Sequence, residues 1–283
     1  MKPDARFLKQ SKPFWANVRT LGQAIGYKAR GQDSVRVPSI DEIRQAYEKL
    51  GLRSSHLVGK PGKLQPMGKV LLDYLAFRAH VLEGFVEPRL MDAARAKKVF
   101  ESLKSELRPR CPIPMNKQKG KKKAPAYFTG IINMLIERHS NGADVDYDPR
   151  QLTTITLDSA PLRTLSRRID GAFPGAVNPV AVWEIKEYYY TTTFGSRVAD
   201  GVYETLLDGM ELEELKDTEG ISVRHYLMID GHYTWWACGK SYLCRVVDML
   251  HMGYVDEVLF GHEVVERLPN IVSEWARLAN QRP

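Results

Sequence analysis

The stretch NPVAVWEIKEYYYTTTFGSRVADG, residues 178–201, decides the fold. It opens as a buried β-strand, yet Glu184, Lys186 and Glu187 sit inside it. Alternate residues of a strand share a face. Val180, Val182, Glu184, Lys186 and Tyr188 therefore line one side, and Ala181, Trp183, Ile185, Glu187 and Tyr189 the other. A lone charge buried there costs several kcal/mol, roughly, unless it is paired or put to use. Glu184 and Lys186 point the same way at the end of an apolar run. That arrangement suits a bound metal and a polarised water.

Upstream, LSRRIDGAFPG supplies Asp170, and the turn GAFPGAVNP can bring it back beside Glu184. Two carboxylates and the Ile185 backbone carbonyl then offer oxygen ligands of the kind Mg²⁺ takes. Lys186 is placed to orient or deprotonate an attacking water, or to stabilise the charge that develops on phosphorus.

An Asp, a loop, then Glu-x-Lys on a strand resembles the PD-(D/E)XK nuclease superfamily. RRIDGAFPG and PVAVWEIKEYY carry the resemblance, with Ile169 in the place of the usual Pro. It covers roughly residues 126–283 through element order as well as motif. It implies an α/β (mixed α+β) fold: a restriction-endonuclease-like αβββαβ core, its mixed central sheet flanked by helices, plus an N-terminal helical region. It also implies Mg²⁺-dependent phosphodiester hydrolysis, with Mn²⁺ as a substitute. Asp170 and Glu184 would ligate metal and Lys186 would assist the nucleophile. A further carboxylate is expected from the preceding helix, where Glu137 is the candidate, or from the following helix through Asp200 or Glu204. Glu187, on the opposite face, is expected either to support the site's ligands from behind or to be structural.

Beyond Tyr190 the strand gives out. Thr191, Thr192 and Thr193 offer hydroxyls, Gly195 permits a turn, and Ser196 reads as the N-cap of a helix starting at Arg197. Hydroxyls and an Arg at a helix N-terminus suit a phosphate. Thr193, Ser196 and Arg197 are thus candidate DNA contacts, and Arg197 can also reach a guanine edge.

Charge divides the chain. Residues 1–150 hold 29 Lys and Arg against 15 Asp and Glu, whereas residues 151–283 hold 12 against 19. A basic first half attracts a polyanion. Its first hundred residues read as helices: Phe14, Val18, Leu21 and Ile25 keep helical spacing, and SIDE is a capping box from Ser39 to Glu42. Residues 109–127, with four Pro and five Lys, read as an exposed loop. Its Lys119, Lys121, Lys122 and Lys123 are candidate phosphate contacts. A basic helical DNA-binding region over 1–125 and a nuclease core over 126–283 follow as the expected domains.

Three cysteines without paired spacing argue against a disulfide framework. His232, Cys238, Cys244 and His251 are too irregularly spaced for a zinc site, and buried thiols are the simpler reading. No apolar run approaches a membrane span and the N-terminus lacks a signal-peptide core, so a cytoplasmic, prokaryotic protein is expected. No GxxxxGK[ST] motif and no methyltransferase signature is present. The leading expectation is a sequence-specific type II restriction endonuclease. It would cut double-stranded DNA as a homodimer, leave 5′-phosphate and 3′-hydroxyl ends, and have a DNA methyltransferase as genetic partner. A repair or structure-selective nuclease, or a noncatalytic DNA-binding regulator, are the alternatives.

Overall fold

The computed structural model describes residues 1–281 apart from 9, 29–33, 60–61, 119–120 and 191–194; the side chains at 117–118, 121–123 and 196 lie outside that description. Three helices come first: α1 (Lys12–Ile25), α2 (Ile40–Lys49) and α3 (Pro66–Val81). Ser11 caps α1, accepting from the Phe14 amide, and the Ser39–Glu42 capping box is present at α2. Phe14, Val18, Ile43, Leu71 and Tyr74 form their shared core. The chain leaves α3 through a π-helical turn, Leu82–Val86, and then helix α4 (Ala93–Leu107), capped by Asp92.

Residues 109–127, expected as an exposed loop, contain two strands instead. Strands β1 (Met115–Gln118) and β2 (Lys121–Pro125) pair as an antiparallel hairpin. The Lys run discourages burial, but the amides of an extended segment still need partners, and a neighbouring extended segment supplies them. Helix α5 (Tyr127–His139) follows, then a second hairpin of β3 (Thr154–Leu157) and β4 (Ala160–Thr164).

The main sheet is mixed. Strand β5 (Gly171–Phe173) runs antiparallel to β6 (Ala181–Glu187). Helix α6 (Ser196–Glu219) crosses to β7 (Arg224–Asp230), parallel to β6. Helix α7 (Lys240–Met252) crosses to β8 (Glu257–Phe260), parallel to β7. The strand order is β5-β6-β7-β8, and helix α8 (Glu263–Ala279) closes the chain despite Pro269. Parallel neighbours need such crossover helices, which is why this sheet is covered on both faces.

Alternation sorts the side chains. Ala181, Trp183, Tyr226, Met228 and Leu259 meet α5 and α8 on one face, where Trp183 stacks on Trp275 at 5.3 Å. Helix α4 joins this layer, with Phe100 against Tyr127 at 5.5 Å. Leu227, Ile229, Val258 and Phe260 meet α3 and α7 on the other, with Val198 and Val202 of α6. Val182 packs with Leu212 and Leu215 of α6. The N-terminal helices are clamped to this body where Asp248 of α7 accepts from Tyr74 at 2.6 Å and from Arg78 at 2.9 Å. Among the described residues no helix is long and apolar enough to cross a membrane.

Candidate active site

Asp170 is the residue just before β5. The antiparallel register sets Gly171 against Trp183, so one step back along the ladder brings Asp170 beside Glu184. Two hydrogen bonds fix the pair. The Asp170 amide donates to Glu184 Oε1 at 3.2 Å, and the Ile185 amide donates to Asp170 Oδ2 at 2.8 Å. Gly171 makes the approach feasible, since a Cβ there would lie 2.1 Å from the Trp183 ring.

Glu184 and Lys186 share a face, as strand alternation requires, and Lys186 Nζ donates to Glu184 Oε2 at 2.6 Å. Opposite them runs α6. Glu204 and Asp208, four residues apart and therefore on one helical face, turn toward the strand. Gly201, a turn earlier, lets the Lys186 stem lie against the helix; a Cβ there would come within 3.1 Å of Lys186 Cδ. Lys186 also reaches Glu204 at 3.1 Å.

Arg167 completes the cluster. Its guanidinium donates to Glu184 at 3.0 and 3.3 Å, to Asp208 Oδ2 at 2.5 Å and to Glu204 at 3.4 Å. Glu184 and Asp208 are fully buried, whereas the Arg167 side chain keeps 22% of its exposure. Arg167 thus sits at the mouth. Sequence reading missed Arg167 and Asp208. The available signals were the i, i+4 spacing of Asp208 from Glu204 and the position of Arg167 three residues before Asp170.

Protonation follows from these contacts. Burial, helped by the charge on Glu184, pushes Asp170 up to about 6 and Asp208 up to about 7. Burial also acts upward on Glu184, but Lys186 and Arg167 outweigh it and hold its carboxyl below the usual range. Lys186 loses hydration on burial, yet Glu184 and Asp170 raise its pKa overall, so it stays an ammonium.

The other sequence candidates fall elsewhere. Glu137 is not brought to the cluster; its carboxylate accepts from the Arg110 amide at 3.0 and 3.1 Å. The α5 helix carries Glu137 at its far end, while its first turn is the part that meets β6. There Glu187 accepts from the Thr129 amide and hydroxyl, both at 3.0 Å, which gives this strand carboxylate its place. Ser196 is the first residue of α6 and Gly195 occupies the N-cap position, a correction to the cap expected at Ser196. Gly195 has φ 126°, which a serine would rarely adopt, so the chain enters the helix one residue earlier. Arg197 is exposed, and its carbonyl accepts from the Tyr188 hydroxyl at 3.1 Å. Lys121, Lys122 and Lys123 lie on β2, with side chains outside the description; Lys119 and Thr193 lie outside the described residues. Ile185 turns its side chain toward the α5–α8 core, and Asp200 is exposed on α6.

The site's fit to a divalent cation can be tested on its own charges. Asp170, Glu184, Glu204 and Asp208 face Lys186 and Arg167, a surplus of two negative charges when all are ionised. Asp208 Oδ1 is buried with no hydrogen-bond partner. Buried polar atoms are seldom left so. All the donors are oxygens, the type that hard cations select. The residues therefore fit Mg²⁺ or Mn²⁺. Among the described residues no three His, Cys, Asp or Glu side chains are drawn together closely enough to form a metal-ligand set; Arg167 donates to Glu184 and to Asp208.

No curated protein and no solved structure matches the chain. Two family models do. A domain of unknown function, DUF7690, matches residues 1–85, the helices up to the π-helical turn. A second, DUF7687, matches residues 91–275 and so spans the sheet and every residue of the Asp170–Glu184–Lys186 cluster. Since that second match covers more than half of the chain, the protein belongs to the DUF7687 family, a domain of unknown function.

Proposed function

We propose that the protein is a Mg²⁺-dependent nuclease of the PD-(D/E)XK type with a restriction-endonuclease-like core, and that it acts as a sequence-specific type II restriction endonuclease on double-stranded DNA. One observation carries the reading: Asp170, from the segment before β5, is hydrogen-bonded to Glu184 and to the Ile185 amide of β6, and Lys186 of the same strand is hydrogen-bonded to Glu184. The basic first half supports a polyanionic substrate. A homodimer would give one active site per strand of a duplex.

In this reading Asp170, Glu184 and Asp208 hold the cation, which supplies charge neutralisation at the scissile phosphate and activation of water. Lys186 stays protonated beside Glu184, so it donates. Of the roles open to it, orienting the water and stabilising charge on phosphorus suit an ammonium, and accepting the water's proton does not. The tie from Ile185 to Asp170 fixes the carboxylate before substrate arrives. Water would add to phosphorus and lose its proton to solvent, and the P–O3′ bond would break with solvent protonating the departing 3′ oxygen, leaving 5′-phosphate and 3′-hydroxyl ends.

The second reading is a noncatalytic DNA-binding protein in which this cluster is a buried ion network. What favours it is that Arg167 and Lys186 already engage both oxygens of Glu184. Incubation of the pure protein with unmethylated phage DNA and Mg²⁺, followed by sequencing of fragment ends, separates the two. Discrete ends at one repeated sequence support the endonuclease. Cuts only on branched DNA point to a structure-selective nuclease, and binding without cleavage in Mg²⁺ and Mn²⁺ points to the noncatalytic protein.

A further inference from the structure

Arg167 is the cation that touches most of the carboxylates in this site. Its guanidinium touches Glu184 through both oxygens, Asp208 through Oδ2 and Glu204 through Oε2. These are three of the four carboxylates in the cluster. Lys186 is different, since it is buried, lies along the α6 surface and belongs to the strand itself. Arg167 comes from the segment between β4 and β5, outside any strand or helix, and its side chain is the more exposed of the two cations. A side chain so placed can leave by rotating toward solvent without disturbing the sheet.

Resting on the metal-dependent reading above, we propose that Arg167 is a tethered counter-ion that positions Glu184, Glu204 and Asp208 in the cation-free protein and must be displaced before a divalent cation can bind. The two cations compete for the same oxygens, so the guanidinium sets the concentration of metal at which the site fills. Its first consequence is protective. Without Arg167 the four carboxylates would face Lys186 alone, a surplus of three charges when all are ionised, and would repel one another in a buried site. Its second consequence is a threshold, because a weakly bound or scarce cation does not displace it. Asp208 Oδ1, buried and unpartnered while Oδ2 is taken by Arg167, is the oxygen already free to meet an incoming ion.

Calorimetric titration of Mn²⁺ into wild-type protein and into Arg167→Met tests this without DNA or turnover. Removal of the competing charge is expected to tighten Mn²⁺ binding by about tenfold or more. Equal or weaker binding by Arg167→Met, with wild-type binding intact, overturns the displacement and leaves the metal-dependent reading standing. Absence of Mn²⁺ and Mg²⁺ binding by both proteins defeats that reading and the proposal with it. The wild-type chain gives an independent measurement should Arg167→Met fail to fold. Phenylglyoxal labelling, followed at Arg167 by peptide mass spectrometry, is expected to accelerate several-fold when Mn²⁺ saturates the site. A labelling rate unchanged by bound Mn²⁺ means that the guanidinium stays in place, and the proposal fails.

Discussion

Lys186 Nζ lies 2.6 Å from Glu184 Oε2, in a strand that opens with the buried apolar residues Ala181, Val182 and Trp183. Short charge-assisted contacts of this kind stabilise two ions only while both are present. Lys186→Met keeps the stem that packs on Gly201 and removes the charge. In the nuclease reading, cleavage falls by about 100-fold or more, as for loss of an electrostatic stabiliser at the reacting centre. Folding stability falls by about 3 kcal/mol because Glu184 is left with less compensation. Single-turnover cleavage and urea unfolding measure the two effects separately. Unchanged cleavage by the folded variant removes Lys186 from the chemistry.

Glu187 makes a pH prediction on the other face of the same strand. Burial raises its carboxyl to about 7, against the lowering effect of the Thr129 amide and hydroxyl, and its Oε1 has no partner. A carboxyl whose folded pKa exceeds its unfolded value binds the proton more tightly when folded. Its contribution is therefore complete below about pH 4.5 and is lost as pH rises through about 7. Wild-type stability should decline across that window, with this one group accounting for about 3 kcal/mol. Glu187→Gln does not titrate, so its urea midpoint should drop less between pH 5 and pH 8 than the wild type's. Parallel pH profiles for the two proteins would assign the decline to other groups.

How much of this was legible in the sequence depends on the range of the interaction. Strand periodicity put Glu184 and Lys186 on one face and Glu187 on the other, and the contacts of Lys186 with α6 and of Glu187 with α5 agree. Local rules also gave the Ser39 capping box and most helices. Apart from the approach of Asp170 to Glu184, contacts set by tertiary register were not legible. Glu137 and Glu204 both read as candidate carboxylates on flanking helices, and only the direction in which each helix crosses β6 decides between them. Arg167 sits in a loop, where no periodicity predicts a side chain's direction. Strand β5 has three residues, too few for a pattern, and exists because β6 pairs with it. The Lys-rich hairpin was hidden because Lys is a weak strand former and pairing with β1 overrode that preference.

Gly171 tests whether the Asp170–Glu184 contact depends on the close passage of β5 over Trp183. A Cβ would lie 2.1 Å from ring carbons that are themselves pinned by stacking on Trp275. The ring has no free direction in which to retreat. Gly171→Ala is expected to cost about 3 kcal/mol, the upper range for overpacking a core. It should also weaken divalent cation binding, since Asp170 is the next residue. Thermal unfolding with and without Mn²⁺ reads both. Wild-type stability in this variant would mean that β5 yields easily and does not fix Asp170.

Arg78 and Asp248 carry the last prediction, which concerns how the N-terminal helices are held to the sheet layer. Arg78 of α3 donates to both oxygens of Asp248 on α7 at 2.9 Å, and Tyr74 adds a bond at 2.6 Å. Both ions are nearly excluded from water. Burial lowers the Arg78 pKa, but Asp248 more than restores it, so the guanidinium remains charged. Arg78→Met leaves the Asp248 carboxylate buried with Tyr74 alone, at a cost of about 3–5 kcal/mol. The double variant Arg78→Met with Asp248→Leu removes both charges and should recover much of that loss, because a buried ion pair is commonly no better than a packed apolar pair. Urea unfolding of the wild type, both single variants and the double variant forms a closed cycle. A coupling energy near zero would show that the α3–α7 junction is held by apolar packing and that the ion pair is incidental to it.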